Sequence, residues 1–256
     1  RDEHPSRGLG DVYKSQEYAH LPLVLGEDKK RLSKRHAATS LNAYKEMGFT
    51  KETIINALAL LGWSTENEIF SIHELIESFK LENVQKAAAV FDLKRFNWVS
   101  SQQLSKLSDN DFFEAIKPFM EDEDINENSS NYKKILLAMR TAKTNLKDIA
   151  RATRPFFFEL DGYDEKGVKK FLNESLETLT FASEVLSKVP EWNETELDMA
   201  LIKVRDYFNL PIPKVNQPMR IALVGSTVSP SLGLTLELFG KDKSLERIQK
   251  AIDFIS

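Results

Sequence analysis

The segment from Ala19 to His36, A-H-L-P-L-V-L-G-E-D-K-K-R-L-S-K-R-H, contains residue types that suit phosphate chemistry. Apolar residues 21–25 predict a short buried strand that ends at Gly26, and five cations lie among the nine residues from Asp28 to His36. This run predicts an exposed, mobile loop that can move over a triphosphate and neutralise a departing pyrophosphate. Because lysine carries a compact charge on a flexible stem, we expect Lys34 to have that role.

The tripeptide Ser33-Lys34-Arg35 is not specific by itself. Short basic motifs arise by chance in chains of this length, and basic loops usually form only solvated surface. The functional interpretation therefore depends on the sequence around the loop.

The composition is that of a globular protein in which any nucleic-acid surface must be a local patch. The chain has 256 residues, of which 41% are hydrophobic and 29% charged, and this balance excludes disorder along its whole length. Ten glycines and nine prolines are few, which favours long helices over turn-rich β folds. The net charge of −4 gives no overall attraction to polyanions.

The residues that are missing restrict the function classes further. The absence of cysteine excludes disulfides, thiolate metal sites and cysteine nucleophiles in this chain. His20, His36 and His73 lack metal-ligand spacing, so we expect no protein-bound metal. No apolar stretch approaches bilayer length, and we expect a cytoplasmic monomer with no membrane partner. Because the chain starts at Arg1 and not at Met, we expect it to be part of a larger polypeptide.

Capping residues and a 3.6-residue period predict helices along most of the chain. Ser71 with Glu74 and Ser108 with Asp111 have the spacing of helix N-caps. A helix after Thr50 is expected to turn an apolar face inward, formed by Ile54, Ile55, Ala57, Leu58 and Leu61.

Three further expectations concern the second half of the chain and the aromatic residues. The polar runs Glu121–Asp124 and Asn126–Asn131 predict a linker, and one uninterrupted helix is expected from Val168 to Leu186. Core packing is the expected role of Trp63, Trp98 and Trp192. The run Phe156-Phe157-Phe158 is expected to be a packing corner and not a base-stacking platform.

The basic loop and several later motifs together resemble the bacterial glutamyl-tRNA synthetases, which are class I aminoacyl-tRNA synthetases. His20-Leu21-Pro22 followed by Arg31-Leu32-Ser33-Lys34-Arg35 is similar to the second signature of that class, a variant of the K-M-S-K-S loop. The resemblance extends in order from about residue 19 to the end, through Leu61-Gly62-Trp63-Ser64, Glu68-Ile69-Phe70-Ser71, Val90-Phe91-Asp92-Leu93 with Trp98, Gln217-Pro218-Met219-Arg220 to Gly225, and Leu238-Phe239-Gly240-Lys241.

The resemblance implies a mainly α fold, in which helical stem-contact and anticodon-binding domains follow a short α/β remnant of a nucleotide-binding catalytic domain. The expected domains are residues 1–45 for the end of the catalytic domain, 46–107 for stem contact, and 108–165 and 166–256 for two anticodon-binding subdomains. The H-I-G-H-like first signature of the class is absent from this sequence. We therefore expect the C-terminal portion of a synthetase, which alone would not be competent in catalysis.

The activity that the resemblance implies is the attachment of L-glutamate to tRNA(Glu) through a glutamyl-adenylate, with ATP and Mg²⁺. Lys34 would hold the phosphates, Ser33 and Arg35 would shape the loop that Arg31 and Leu32 begin, and the backbone of Leu23 and Val24 would lie near adenine. Arg1, in the opening R-D-E-H, resembles an arginine that grips the substrate carboxylate, a role that suits a guanidinium fork. A mere chain end is an equally open interpretation of Arg1.

A cationic series after Tyr132 is the candidate anticodon-side surface, because unstacked bases are read by planar faces and hydrogen bonds. Ala142 stands near the position where discriminating members of the family have an arginine that reads the third anticodon base. This predicts relaxed discrimination and charging of tRNA(Gln) as well, unless Arg140 substitutes. Solvated surface charge remains the alternative for each member of the series: Arg140, Lys143, Lys147, Arg151 and Arg154.

Two other functions stay open at this point. The same helices would serve a stand-alone tRNA-binding module without catalytic activity, and the sequence upstream of Arg1 would distinguish that module from the enzyme. A purely structural helical scaffold is the third alternative, and it predicts no affinity for tRNA at low salt.

Overall fold

The computed structural model describes residues 22–32, 40–63, 65 and 67–256. They belong to two compact units. The strand unit comprises the described residues up to Leu41 together with Glu52–Val99, and the helical unit comprises Asn42–Lys51 together with Ser100–Ser256. Helices make up most of the described chain, which confirms the predicted mainly α fold. No helix in these described ranges is long and apolar enough to cross a membrane.

The regular elements are two short strands and a succession of helices. Short helical turns lie at Leu81–Asn83, Arg154–Phe156, Glu165–Gly167 and Val168–Leu172. In chain order the other elements are β1 (Val24–Leu25), α1 (Leu41–Glu46), α2 (Lys51–Ala59), α3 (Ile72–Ser78), β2 (Ala89–Val90), α4 (Leu93–Lys106), α5 (Asp109–Asp122), α6 (Tyr132–Met139), α7 (Leu146–Thr153), α8 (Leu176–Ser187), α9 (Glu194–Phe208), α10 (Ile212–Val224), α11 (Leu232–Phe239) and α12 (Lys241–Ile255).

The strand unit combines a two-stranded parallel sheet with a small core. Val24 on β1 pairs with Ala89 on β2, and Leu25 pairs with Val90. The capping box that was predicted for α3 is present: the Glu74 N–H donates to Ser71 Oγ, and the Ser71 N–H donates to the Glu74 carboxylate at 2.7 Å. The core of this unit consists of Leu60, Trp63, Phe70, Leu75 and Val99.

Helix α2 forms as predicted, but its expected inward face is wrong at Ile55 and Leu58. Ile55 and Leu58 are exposed, whereas Thr53 and Asn56 are fully buried. The reason is a hydrogen-bonded contact across the unit: the Asn56 side chain donates to the Glu68 carbonyl and accepts from the Phe70 N–H, both at 3.0 Å. A buried amide is tolerated when its polar atoms are paired, and this pairing sets the rotation of the helix.

The helical unit contains two hydrophobic cores. Helices α5, α6 and α7 surround the first core, which includes Phe112, Ile116, Leu136 and Ile149. Helices α8 to α12 surround the second. Side-chain caps fix where four of these helices begin, since each capping oxygen accepts the N–H three residues on; the caps are Ser108, Asn145, Asn193 and Ser231.

The predicted linker between residues 121 and 131 is wrong. Glu121 and Asp122 still belong to α5, and Ile125 is buried in the first core. The chain turns sharply at Asp124 and again at Asn131, where φ is 59° in both cases, and the Ile125 N–H donates to the Met120 carbonyl. One apolar anchor inside a polar run therefore converts an apparent linker into a tight connection.

The uninterrupted helix from Val168 to Leu186 is also wrong. Residues Val168–Leu172 form a wide π-type turn, closed by the Asn173 N–H on the Val168 carbonyl at 3.1 Å. Ser175 then bonds the Leu172 carbonyl through its hydroxyl, and α8 begins at Leu176. Leu172 and Leu179, on either side of the break, are both buried in the second core.

The three tryptophans do not share one role. Trp63 is buried in the strand unit, as predicted. Trp192 packs against the second core of the helical unit, and its Nε1–H donates to the Leu236 carbonyl at 2.8 Å. Core packing is wrong for Trp98, which is 43% exposed on α4.

A glycine in the connection after α1 lies in close contact with the first residues of α7. Gly48 has φ +84°, and its carbonyl accepts the Leu146 N–H at 2.8 Å. A Cβ added at Gly48 would lie 2.4 Å from the Lys147 backbone nitrogen. Both the backbone conformation and the close approach therefore require glycine at this position.

Replacing Gly48 by alanine should destabilise the protein more than the same change at Gly62. Gly62 has a similar φ of +91° but open space where a Cβ would be, so Gly62→Ala carries only the conformational penalty of about 1 to 2 kcal/mol. Gly48→Ala adds overlap with the backbone of α7. Urea unfolding of both variants tests this difference, and equal losses of unfolding free energy would contradict the close approach.

Candidate functional site

A tight turn brings the residues at the base of the basic loop together. After β1 the Gly26 N–H donates to the Lys30 carbonyl at 2.8 Å, and Lys29 takes a positive φ of 59°. The chain then returns antiparallel: Arg31 bridges Leu25, and the Leu32 N–H donates to the Val24 carbonyl at 2.9 Å. Arg31 and Leu32 thus lie beside β1, where the basic loop begins.

The candidate nucleotide-binding residues are only partly described. Leu23 is 59% exposed just before β1, and Val24 is half-buried. The structure therefore gathers Leu23, Val24, Arg31 and Leu32 at one place. Ser33, Lys34, Arg35 and Arg1 lie outside the described residues. Among the residues that are described, no group of three or more His, Asp or Glu side chains is placed to hold a metal ion.

The candidate cations of the helical unit do not lie on one continuous helix. Arg140 follows the last residue of α6, Lys143 lies in the connection, and α7 carries Lys147 and Arg151, with Arg154 directly after it. The last three are spaced i, i+4 and i+7, which places them on the same helical face. The predicted series is thus divided between two helices and their connection.

Arg140 is held by the protein itself. Its Nε donates to the Leu104 carbonyl at 2.8 Å, Nη1 lies 3.1 Å from Asp109, and Nη2 donates to the Leu107 carbonyl. The guanidinium also stacks on the Phe112 ring, 5.1 Å from its centroid, and the side chain is only 12% exposed. Arg140 therefore pairs the carbonyl groups at the end of α4, a common task for a cation at a helix C-terminus.

Glu123 fixes the two arginines around the end of α7. Arg151 Nε lies 3.3 Å from one oxygen of the Glu123 carboxylate, and Arg154 Nη1 lies 3.3 Å from the other. Arg154 Nη1 also donates to the Glu123 backbone carbonyl at 2.9 Å. Lys147, at the first turn of α7, has its ammonium 3.5 Å from the Glu46 carbonyl. These side chains keep their positive charge at the surface while their geometry is constrained.

The aromatic run after Arg154 is divided between packing and exposure. Phe156 stacks on Phe239 with ring centroids 4.7 Å apart, and Phe157 contacts Tyr132. Both residues therefore have the packing role that the sequence predicted for the run. Phe158 is different, since it is 37% exposed and lies under Arg154, whose guanidinium carbon is 4.9 Å from the ring centroid. The sequence interpretation missed Phe158 because three identical residues gave no sign of which one faces solvent.

The residue after Phe158 is anchored by two lysines. Glu159 accepts hydrogen bonds from Lys243 and from Lys250, the latter at 3.1 Å. These hydrogen bonds hold the pKa of the Glu159 carboxyl at about 2, well below its usual value. Glu159 therefore stays ionised at neutral pH and keeps the chain after Phe158 bound to α12.

Two family models match the chain in succession. Residues 111–252, more than half of the chain, match the anticodon binding domain, and residues 11–98 match the catalytic domain of class I tRNA synthetases (E and Q). A glutamate–tRNA ligase of Thermodesulfovibrio yellowstonii is 34% identical over 93% of this chain and 52% of that protein. The glutamate–tRNA ligase of Syntrophotalea carbinolica is 37% identical over 94% of this chain and 52% of that protein.

Solved structures agree with the sequence comparisons. The crystal structure of a glutamate tRNA ligase from Elizabethkingia meningosepticum, in complex with its amino acid, superimposes with a TM-score of 0.72 at 28% identity, covering 96% of this chain and 54% of that one. The chain spans about half the length of the relatives it matches. These matches confirm the resemblance drawn from the motifs: the chain belongs to the family of the anticodon binding domain, and along nearly its whole length it is similar to glutamate–tRNA ligases, with part of a class I synthetase catalytic domain before that domain.

Proposed function

We propose that the polypeptide to which this chain belongs attaches L-glutamate to tRNA(Glu) at the expense of ATP. The observation that carries the proposal is the order of the two family matches, part of a class I catalytic domain followed by an anticodon binding domain, in relatives named as glutamate–tRNA ligases. If either part of the chain had failed to match its domain of the tRNA synthetases, the proposed activity would have no support. We propose further that the enzyme acts in the cytoplasm as a monomer.

The proposed reaction has two steps. A carboxylate oxygen of glutamate attacks the α-phosphorus of ATP, the bond to the bridging oxygen breaks, and pyrophosphate leaves. A hydroxyl of the terminal ribose of tRNA then attacks the carbonyl carbon of the glutamyl-adenylate, and AMP leaves. Mg²⁺ would accompany ATP as the counter-ion of its phosphates. Charge develops on the leaving pyrophosphate in the first step, and a preorganised cation stabilises it.

The basic loop would supply that cation. We assign the phosphate contact to Lys34, with Ser33 and Arg35 shaping the loop, and Arg1 to the substrate carboxylate. The described base of the loop supports this assignment, because the pairing of Leu32 with Val24 fixes where the loop leaves the sheet. Leu23 is exposed beside that point, where we propose that adenine binds.

The surface around α7 would bind the anticodon arm of the tRNA. Lys147, Arg151 and Arg154 share one helical face, and Lys143 lies just before them. Clustered cations attract the phosphates of an RNA loop even when the net charge of the protein is negative. Arg140 joins this surface in the proposal as a positioning residue, since its guanidinium is held at the end of α4.

Lys34→Ala should reduce ATP–pyrophosphate exchange by the complete polypeptide by about a hundredfold to a thousandfold, the effect of removing one preorganised charge from a transition state. The exchange is measured with glutamate, in the presence and absence of tRNA. Lys188→Ala is the control, because Lys188 is an exposed lysine directly after α8 that lies outside the basic loop, and its loss should leave the rate unchanged. An unchanged rate in Lys34→Ala would count against the assignment of the loop.

We propose in addition that the enzyme does not discriminate strictly between tRNA(Glu) and tRNA(Gln). Ala142 offers no guanidinium near the position from which discriminating relatives read the third anticodon base. The placement of Arg140 supports the proposal, since its three nitrogens are directed at Leu104, Leu107 and Asp109. A substitute reader would need a guanidinium that is available to a base.

Wild-type enzyme should therefore glutamylate both tRNAs, and Ala142→Arg should lower charging of tRNA(Gln) relative to tRNA(Glu) by about tenfold or more, as expected for one bidentate base contact. Leu137→Arg, which adds a guanidinium at an exposed position of α6, should leave the ratio unchanged. Aminoacylation of each purified tRNA measures the ratio. No detectable glutamylation of tRNA(Gln) by the wild type would reject relaxed discrimination.

A further inference from the structure

Phe158 is an exposed aromatic residue whose backbone the protein holds at both its N–H and its carbonyl. Its N–H donates to the Arg154 carbonyl at 3.0 Å, and its own carbonyl accepts from Arg247 Nη2 at 2.7 Å. The following residue, Glu159, is held by Lys243 and Lys250. A residue whose backbone is fixed in this way loses less conformational entropy when a ligand contacts it, which favours binding.

Arg154 lies over this ring, and one of its guanidinium nitrogens is held by Glu123. Nη1 bonds both the carbonyl and the carboxylate of Glu123, and the guanidinium carbon is 4.9 Å from the Phe158 centroid. The Arg154 side chain is nevertheless 39% exposed. Because Nη1 is held by Glu123, the guanidinium stays over Phe158, and a ligand can reach its planar group together with the exposed part of the ring.

The surroundings of this pair are suited to a nucleic-acid strand. Arg151 and Lys147 lie one and two turns before Arg154 on the same face of α7. Proteins that hold single-stranded nucleic acids combine such cations, which follow the phosphates, with planar groups on which unpaired bases stack. Guanidinium planes serve as stacking surfaces as well as aromatic rings do in complexes with RNA loops.

We propose that Arg154 and Phe158 form a stacking platform for one unpaired base of an RNA loop bound at the α7 surface. The proposal rests on the proposed function, in that the RNA is the anticodon loop of the tRNA. The platform contributes affinity through the planar faces, while Lys147 and Arg151 contribute through charge. Glu123 and Arg247 are positioning residues, because each acts only by holding Arg154 or Phe158 in place.

The test measures binding of the full chain to an anticodon stem-loop RNA of tRNA(Glu), with a fluorescent purine analogue substituted at each loop position in turn. Phe158→Leu keeps an apolar side chain but removes the ring, and Arg154→Lys keeps the charge but removes the plane. We expect each to weaken binding by about tenfold and to abolish the quenching of fluorescence at one and the same loop position. Phe158→Tyr, which keeps the ring, should retain both affinity and quenching.

The control variant is Phe254→Leu, because Phe254 is more exposed than Phe158 but contacts the ring of Tyr163 instead of an arginine. It should bind the stem-loop as the wild type does. If Phe158→Leu melts at a lower temperature than the wild type, the test compares Arg154→Lys with Phe158→Tyr instead. If the wild type binds, and Phe158→Leu and Arg154→Lys bind with the same affinity and the same quenching, the platform alone is overturned. If the wild type does not bind even whole tRNA, the proposed function is overturned together with the platform.

Discussion

The helical unit depends on a buried cation that joins three of its segments. Arg247, only 2% exposed, donates to the carbonyl groups of Leu223 and Phe158 and packs against the Phe239 ring, with its guanidinium carbon 4.4 Å from the centroid. Burial lowers the pKa of Arg247 below its usual value, because water no longer solvates the charge. A buried charge is tolerated only when its surroundings provide hydrogen bonds, so the end of α10, the chain after α7 and helix α12 must keep fixed relative positions.

A second set of polar contacts joins the helices of the two cores in the same way. Lys134 on α6 pairs with Glu237 on α11, and the other oxygen of Glu237 accepts the Glu194 N–H that begins α9, at 2.7 Å. In return Asp198 on α9 accepts the Gly233 N–H near the start of α11, at 3.1 Å. Burial and the neighbouring Glu194 raise the pKa of Asp198 above its usual value. The antiparallel helices α9 and α11 thus cap each other.

Features set by nearby residues could be predicted from the sequence. The capping box at Ser71 and the cap at Ser108 are interactions over three residues, and the family motifs are contiguous strings. Features that depend on distant partners could not. The rotation of α2 follows from Asn56 pairing with Glu68 and Phe70, and the exposure of Phe158 follows from contacts with Arg154 and Arg247. The role of Arg140 likewise depends on carbonyl groups more than thirty residues earlier in the chain.

The salt dependence of binding to tRNA(Glu) tests most directly the proposal that this chain forms the tRNA-contacting half of a glutamate–tRNA ligase. Each phosphate neutralised by a cation contributes roughly −0.7 to the slope of log affinity against log salt for an unpaired strand. The four cations from Lys143 to Arg154 therefore predict a slope of about −3 or steeper, with measurable affinity at low salt. Absence of binding at low salt, or an affinity that does not change with salt, would contradict the account and leave only a structural bundle of helices.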